Sequence, residues 1–337
     1  MTLTASGLHP FAVFLGGLVI VVLGAELLLR GAMRLANLMG LRPVTIGLTV
    51  VALGTSMPEL AVGLTAAQSG QGALSVGNIA GGNILNILFI LGLSASIRAL
   101  PTRSMSVRVE VPAMIATALL LLIMSLDGRL TRGEGLGLLV CATVYTVLLV
   151  RASRREGALV REEFAREFNP AERADTRGGL AAHLPPWLWN CLLLAAGIAL
   201  AALGADLMVA GASAIARAFG VSDAVIGLTI VAVGTNTPEM VTTLIATLRN
   251  DRDVAIGNLI GSGIYNVLVI LGLTIVAAPG PIHIGRDILW IDLPLAALVA
   301  IICLPVFKSD RRVSRREGMV FVTAYLAYLG SLLLWRI

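Results

Sequence analysis

Two glutamates stand in stretches otherwise too apolar for water: Glu59 in GLTVVALGTSMPE (47–59) and Glu239 in GLTIVAVGTNTPE (227–239). Each follows a proline, Pro58 or Pro238, and lies four residues after a threonine, Thr55 or Thr235. A proline has no N–H, and its ring crowds the carbonyl four residues back. A helix through either stretch is therefore predicted to kink or break, freeing the carbonyl of Gly54 or Gly234. Residues four apart share a helix face, so each threonine hydroxyl accompanies its carboxylate. A second polar pattern follows: Asn78, Gly82, Asn86 and Asn258, Ser262, Asn266, each spaced i, i+4, i+8. Small neighbours (Gly77, Gly81, Gly257, Gly261, Gly263) let helices approach closely beside these stripes.

Carboxylates, hydroxyls, amide oxygens and freed carbonyls are hard ligands. They suit Ca²⁺, which takes about 6–8 oxygens, and also Na⁺. No His, Cys or Met cluster is present, which disfavours soft transition metals. Two carboxylates balance one Ca²⁺ or two monovalent cations, and protons could neutralise the same pair. A site that cannot cross with two uncompensated charges needs a cation in each direction, which is the logic of an exchanger. The plainer readings are a proline kink with a snorkelling glutamate, and asparagines that only join helices. Intramembrane carboxylates are costly, and the first of these readings needs two such accidents at equivalent positions.

The rest of the chain must hold these residues inside a membrane. Of 337 residues, 57% are hydrophobic and 13% charged, with a mean hydropathy of +0.90. Soluble chains carry about a quarter charged residues. Apolar runs of about 20 residues, enough to cross a roughly 30 Å hydrocarbon core, fall at 9–33, 44–68, 74–97, 108–126, 132–151, 187–213, 224–248, 254–277, 287–306 and 315–335. Only backbone paired within its own segment suits lipid, so all ten are predicted helical. The first run lacks the basic start and cleavage site of a signal peptide and is read as a mature helix. Cys141, Cys191 and Cys303 lack metal spacing and read as packing residues. The net charge of +5 reflects topology and not a nucleic-acid partner. With both termini external, twenty of the 25 basic residues fall in cytoplasmic segments, as the positive-inside rule expects of a cell (inner) membrane protein.

Comparing residue n with n+180 from Gly17 to Leu93 gives 31 identities in 77 positions without a gap. The chain is an internal duplication. Five spans per half is an odd number, so the halves run in opposite directions, as in secondary transporters whose sites lie where inverted repeats meet. The expected fold is all-α, with repeats at 1–151 and 185–337. Residues 152–184, nearly balanced in charge, read as a solvated cytoplasmic linker without EF-hand spacing. The fourth, fifth, ninth and tenth spans have almost no central polar residues and read as lipid-facing. Glu26 and Asp206 are also 180 apart; Glu26 can pair with Arg30, whereas Asp206 has Ala210 at that spacing.

GTSMPE with GNIAGGNILN, and GTNTPE with GNLIGSGIYN, flanked by GAELLLRGA and GADLMVAGA, resemble the two alpha-repeats of the sodium/calcium exchanger family of calcium:cation antiporters. The likeness covers about half the chain. It implies ten helices in two inverted five-helix halves, with the first and sixth helices sliding as a gating pair. It also implies ion ligands at Thr55, Ser56, Glu59 and Asn86, at Thr235, Glu239, Ser262 and Asn266, and at the carbonyls of Ala52 and Ala232. Two positions depart from the pattern. Gly82 lacks the serine many members have, and Asn236 offers an amide where the GTS triplet has a hydroxyl. These departures bear on the sodium sites more than on calcium. Asn266, an aspartate in some members, places ligands or water without adding charge.

The expected activity is exchange of Ca²⁺ for Na⁺ by alternating access, directed to calcium efflux, with no cofactor. H⁺ is the alternative coupling ion. A hydrolase using the two carboxylates as acid and base, or a passive channel, are the rivals from other classes. The expected partners are lipid and inorganic cations, the chain being a monomer or weak homo-oligomer.

Overall fold

A computed structural model describes residues 9–39, 43–101, 109–155, 184–219, 232–308 and 312–335. The first half contains α1 (Pro10–Met39), a broken α2, α3 (Gly72–Ile97), α4 (Val111–Met124) and α5 (Arg132–Arg155). Segment α2a runs from Pro43–Ile46 through a π-helical Gly47–Val51 to Ala52–Thr55, and α2b is Met57–Gln68. The second half repeats the plan with α6 (Pro186–Ala218), α7a (Ala232–Thr235), α7b (Thr237–Leu248), α8 (Arg252–Ala277), α9 (Ile288–Lys308) and α10 (Arg315–Trp335).

Among the described residues six helices are long and apolar enough to cross a membrane, and the bent pair of α2 makes a seventh. Of the other three spans, α4 has 14 residues, α7 is described only from 232, and α10 runs over Arg315–Trp335. Helices α1 and α6 exceed their expected bounds of 9–33 and 187–213, reaching 30 and 33 residues. At 1.5 Å per residue they outrun the hydrocarbon core, which tilt accommodates. The start of the seventh span and most of the 152–184 linker lie outside the described residues.

Helices α3 and α8 form the centre, with 67% and 83% of their apolar windows buried, against 22% for α5 and α6. Two short antiparallel ladders tie the halves together. Strand β1 (Leu100–Pro101) pairs with β4 (Arg312–Val313), and β2 (Arg129–Leu130) pairs with β3 (Ile282–His283). Strands β1 and β3 each follow a central helix, and β2 and β4 each precede the last helix of a half. Each ladder therefore joins a loop of one repeat to the complementary loop of the other.

Helices α1 and α6 pack on each other along their lengths, antiparallel. Gly17, Gly24 and Gly31 on one, and Gly197, Gly204 and Gly211 on the other, recur every seven residues and keep one face of each helix bare. A Cβ on Gly17 would sit 2.7 Å from the Gly204 carbonyl, and one on Gly197 would sit 2.8 Å from the Gly24 carbonyl. Backbone thus lies against backbone, the contact that holds helices together where lipid removes the hydrophobic drive.

This pair leans to one side of the molecule. Val21, Ala25 and Leu28 of α1 are buried in apolar clusters with Val241 and Ala246 of α7b. The equivalent contact of α6 with α2b is sparser. Glu26 pairs with Arg30 on its own helix and with Arg249 just beyond α7b, stitching the closed side. Asp206, its counterpart, has Ala210 and Ser69 at the equivalent positions and makes no such stitch. Removing the charge with Glu26→Gln is expected to loosen this side. In a background lacking Cys141, Cys191 and Cys303, a probe thiol placed by Ala246→Cys should label about two- to fivefold faster, the scale of one partly exposed ion pair. Asp206→Asn should leave the rate unchanged, and an unchanged rate in Glu26→Gln would show that the ion pair does not hold the closure.

Candidate cation site

Both broken helices break in the same way. Ser56 (φ −85°, ψ 11°) ends α2a and Asn236 (φ −87°, ψ 6°) precedes α7b, each in the sparsely populated bridge region common at active sites. The helices break in the stretches where the sequence suggested a kink or break, and the prolines lie just past the break. Pro58 and Pro238 sit in the first turn of a new helix, where a missing N–H costs nothing. The two arms of α2 meet at 50°. The Gly54 carbonyl is not left free. Backbone N–H groups at the break reach Ala52 O and Gly54 O, because the chain turns there and supplies its own donors.

Glu59 and Glu239 fall in the first turns of α2b and α7b, where the positive end of the helix dipole favours a carboxylate. They are 1% and 0% exposed, and their charges repel across the space between the halves. Ser56 Oγ donates to Glu239 Oε1 at 2.9 Å, joining α2 directly to α7. The other Glu239 oxygen and both Glu59 oxygens have no hydrogen-bond partner. Buried carboxylate oxygens are ordinarily satisfied, and leaving them bare is costly.

The remaining predicted residues converge on the same region. Thr55 Oγ1 lies 3.1, 3.2 and 3.3 Å from Val51 O, Ala52 O and Asn258 Oδ1. A hydroxyl has a single hydrogen, so Thr55 can donate to one of these three oxygens at a time, while Ala52 O also accepts from the Ser56 N–H at 3.1 Å. Such a cluster matches what a cation coordinates. Asn86, Ser262 and Asn266 are fully buried, and Asn86 Oδ1, Ser262 Oγ and Asn266 Oδ1 lack partners. Thr235 is 9% exposed and accepts from the buried Asn236 amide at 3.2 Å. Ala232 opens the short α7a. Asn86 lies within a π-helical stretch, Leu85–Leu91, and Asn266 opens another, Asn266–Leu271. π-Turns widen a helix locally and are frequent at functional sites.

A family model, described as sodium/calcium exchanger protein, matches residues 9–151 and 189–334. The chain belongs to the sodium/calcium exchanger family. The family and the structural neighbours are transporters and not enzymes. It is 32% identical over 329 residues to the inner membrane protein YrbG of Escherichia coli, covering 95% of this chain and 96% of that one. It is 29% identical over 350 residues to the sodium/calcium exchanger MaX1 of Methanosarcina acetivorans, covering 95% and 97%. The solved structure of the sodium-calcium exchanger NCX_Mj superposes with a TM-score of 0.78 at 26% identity, covering 96% of this chain and 98% of that one. The exchanger fold, ten helices in two inverted halves, is thereby shown, as is the broad activity of cation antiport.

Several residues of this exchanger's interior escaped the sequence reading. Asn83 donates to Gly263 O at 3.1 Å and accepts from Asn266 Nδ2 at 3.3 Å. Asn83 and Gly263 are 180 apart, so a residue touches its own repeat counterpart, which marks the pseudo-two-fold axis. Asn258 donates to Thr243 at 3.0 Å and bridges α2a to α7b, the helix-joining role that the sequence offered as the plainer reading of the stripe. Glu110 and Asp292, 2% and 5% exposed, precede the matching Val111-Pro112 and Leu293-Pro294. Tyr328 donates to Asp292 at 3.1 Å, and Tyr145 lies near Glu110. Their offset is 182, two more than the register that exposed the duplication, so a comparison with a gap after Leu93 would have found them.

Proposed function

We propose that this exchanger moves Ca²⁺ against Na⁺ through one site shared by Glu59 and Glu239, reached alternately from the two sides of the membrane. One observation carries this reading: two buried carboxylates face each other across the repeat axis with three of their four oxygens free of hydrogen-bond donors. Together they match one divalent cation or two monovalent ones, and the neutral oxygens of Thr55, Thr235, Ser262, Asn86, Asn266, Asn236 and Ser56, with the Ala52 and Ala232 carbonyls, complete a hard ligand set. Competition between ions for the same two charges then enforces exchange without a second site. A cation at Ala52 O shares that oxygen with the Ser56 N–H and takes the place of the Thr55 hydroxyl hydrogen, which rotates away.

With the termini external, as the arginines suggest, the closed α1–α7b side is cytoplasmic and the structure is outward-facing. The inward Na⁺ gradient of a cell membrane then drives Ca²⁺ out. The test is ⁴⁵Ca²⁺ uptake into Na⁺-loaded proteoliposomes diluted into Na⁺-free buffer. Uptake is expected to collapse when Na⁺ is equal on both sides. Undiminished uptake in Na⁺-free vesicles under a pH gradient would transfer the coupling to H⁺.

A further inference from the structure

We propose that Asn236 and Gly82 are a matched pair, in which the amide of Asn236 supplies an oxygen that α3 lacks, and that this pair weakens Na⁺ relative to Ca²⁺ at the site. This rests on the reading that cations bind between Glu59 and Glu239.

The two halves keep the same threonine, proline, glutamate and asparagine at the site. Among the ligand positions that the family pattern names, they differ at two: Ser56 corresponds to Asn236, and Ser262 to Gly82. The departures touch each other. A Cβ on Gly82 would lie 3.1 Å from Asn236 Oδ1 and 3.5 Å from Nδ2. A serine there, as its counterpart Ser262 has, would press on the amide, and without that glycine the amide would lack its room. Asn236 is 1% exposed, and its Nδ2 donates to Thr235 Oγ1 at 3.2 Å, which turns the oxygen toward Gly82. Volume removed from α3 is returned from α7.

The chemistry differs between the halves as a result. Ser56 gives its proton to Glu239 at 2.9 Å, shielding one carboxylate oxygen. An amide oxygen has no proton to give, and neither Glu59 oxygen receives a donor. The Glu59 side therefore presents more unshielded negative potential, which favours the divalent ion. At this pair of positions Gly82 and Asn236 offer one neutral oxygen, where two serine hydroxyls would give a monovalent ion two. Amide carbonyls are regular Ca²⁺ ligands.

The test is ⁴⁵Ca²⁺/Ca²⁺ self-exchange in proteoliposomes, which requires no coupling ion, with Na⁺ then added as competitor. Gly82→Ser alone is expected to cut self-exchange at least tenfold, and Asn236→Ser alone several-fold. The double variant Gly82→Ser/Asn236→Ser should recover to within about threefold of wild type and show at least threefold stronger inhibition by Na⁺. If Gly82→Ser does not fold, Gly82→Ala, which adds only the contacting Cβ, and the mirror swap Ser56→Asn/Ser262→Gly carry the same comparison. Defects that merely add would overturn the pairing, and unchanged Na⁺ inhibition in the recovered double variant would overturn its role in selectivity. Absence of self-exchange in wild type would instead overturn the shared cation site, and the pair's role with it.

Discussion

Exchanging either buried carboxylate for its amide, Glu59→Gln or Glu239→Gln, is expected to lower Ca²⁺ flux by two orders of magnitude or more while the protein still folds. The side chains keep their size, so packing is preserved. What changes is charge: a divalent ion between two carboxylates would face only one. Removing one partner of a buried charge pair costs about 3–5 kcal/mol, and each 1.4 kcal/mol is a factor of about ten. The two variants should differ in detail. Glu239 already accepts from Ser56, and an amide oxygen can keep that bond. Glu59 has no donor, so Glu59→Gln also places an NH₂ group among oxygens. Flux measured on monodisperse protein checks this, and near-normal flux in either variant would remove that carboxylate from the site.

The second large effect concerns α1 and α6. Gly24→Leu is expected to destabilise the protein and reduce transport more than tenfold, because its Cβ would lie 2.9 Å from the Gly197 carbonyl. The helices would have to separate along a face where backbone touches backbone, and overpacking of this kind costs about 1–3 kcal/mol or more. Gly16 provides the control. Nothing lies within 4 Å of a Cβ there, so Gly16→Leu should be stable and active although it adds the same side chain one helix position group away from the heptad face. Thermal stability in detergent and transport would be read together. Equal behaviour of the two variants would mean that α1 and α6 do not need close contact.

Much of this architecture was legible in the sequence, for a physical reason. The duplication fixes a symmetry, hydropathy fixes the spans, and a proline before a carboxylate announces broken backbone at membrane depth. The break falls at Ser56 and Asn236, two residues before the prolines, which stand in the first turn of the second arm. The approach of Asn258 to Thr55 could not be read, since the two are 203 residues apart. Asn83 was passed over because its partners lie across the repeat axis, where proximity follows from folding alone. The π-helical stretches at Asn86 and Asn266 depend on packing around α3 and α8 and have no local signature. The contact of Gly82 with Asn236 joins two departures that, along the chain, look unrelated.

Equilibrium binding of ⁴⁵Ca²⁺ to the purified protein tests most directly whether Glu59 and Glu239 form one site. Wild type is expected to bind one Ca²⁺ per chain, displaced by Na⁺, and both Glu59→Gln and Glu239→Gln should lose it together. Retention of wild-type Ca²⁺ affinity by either variant would contradict a shared site.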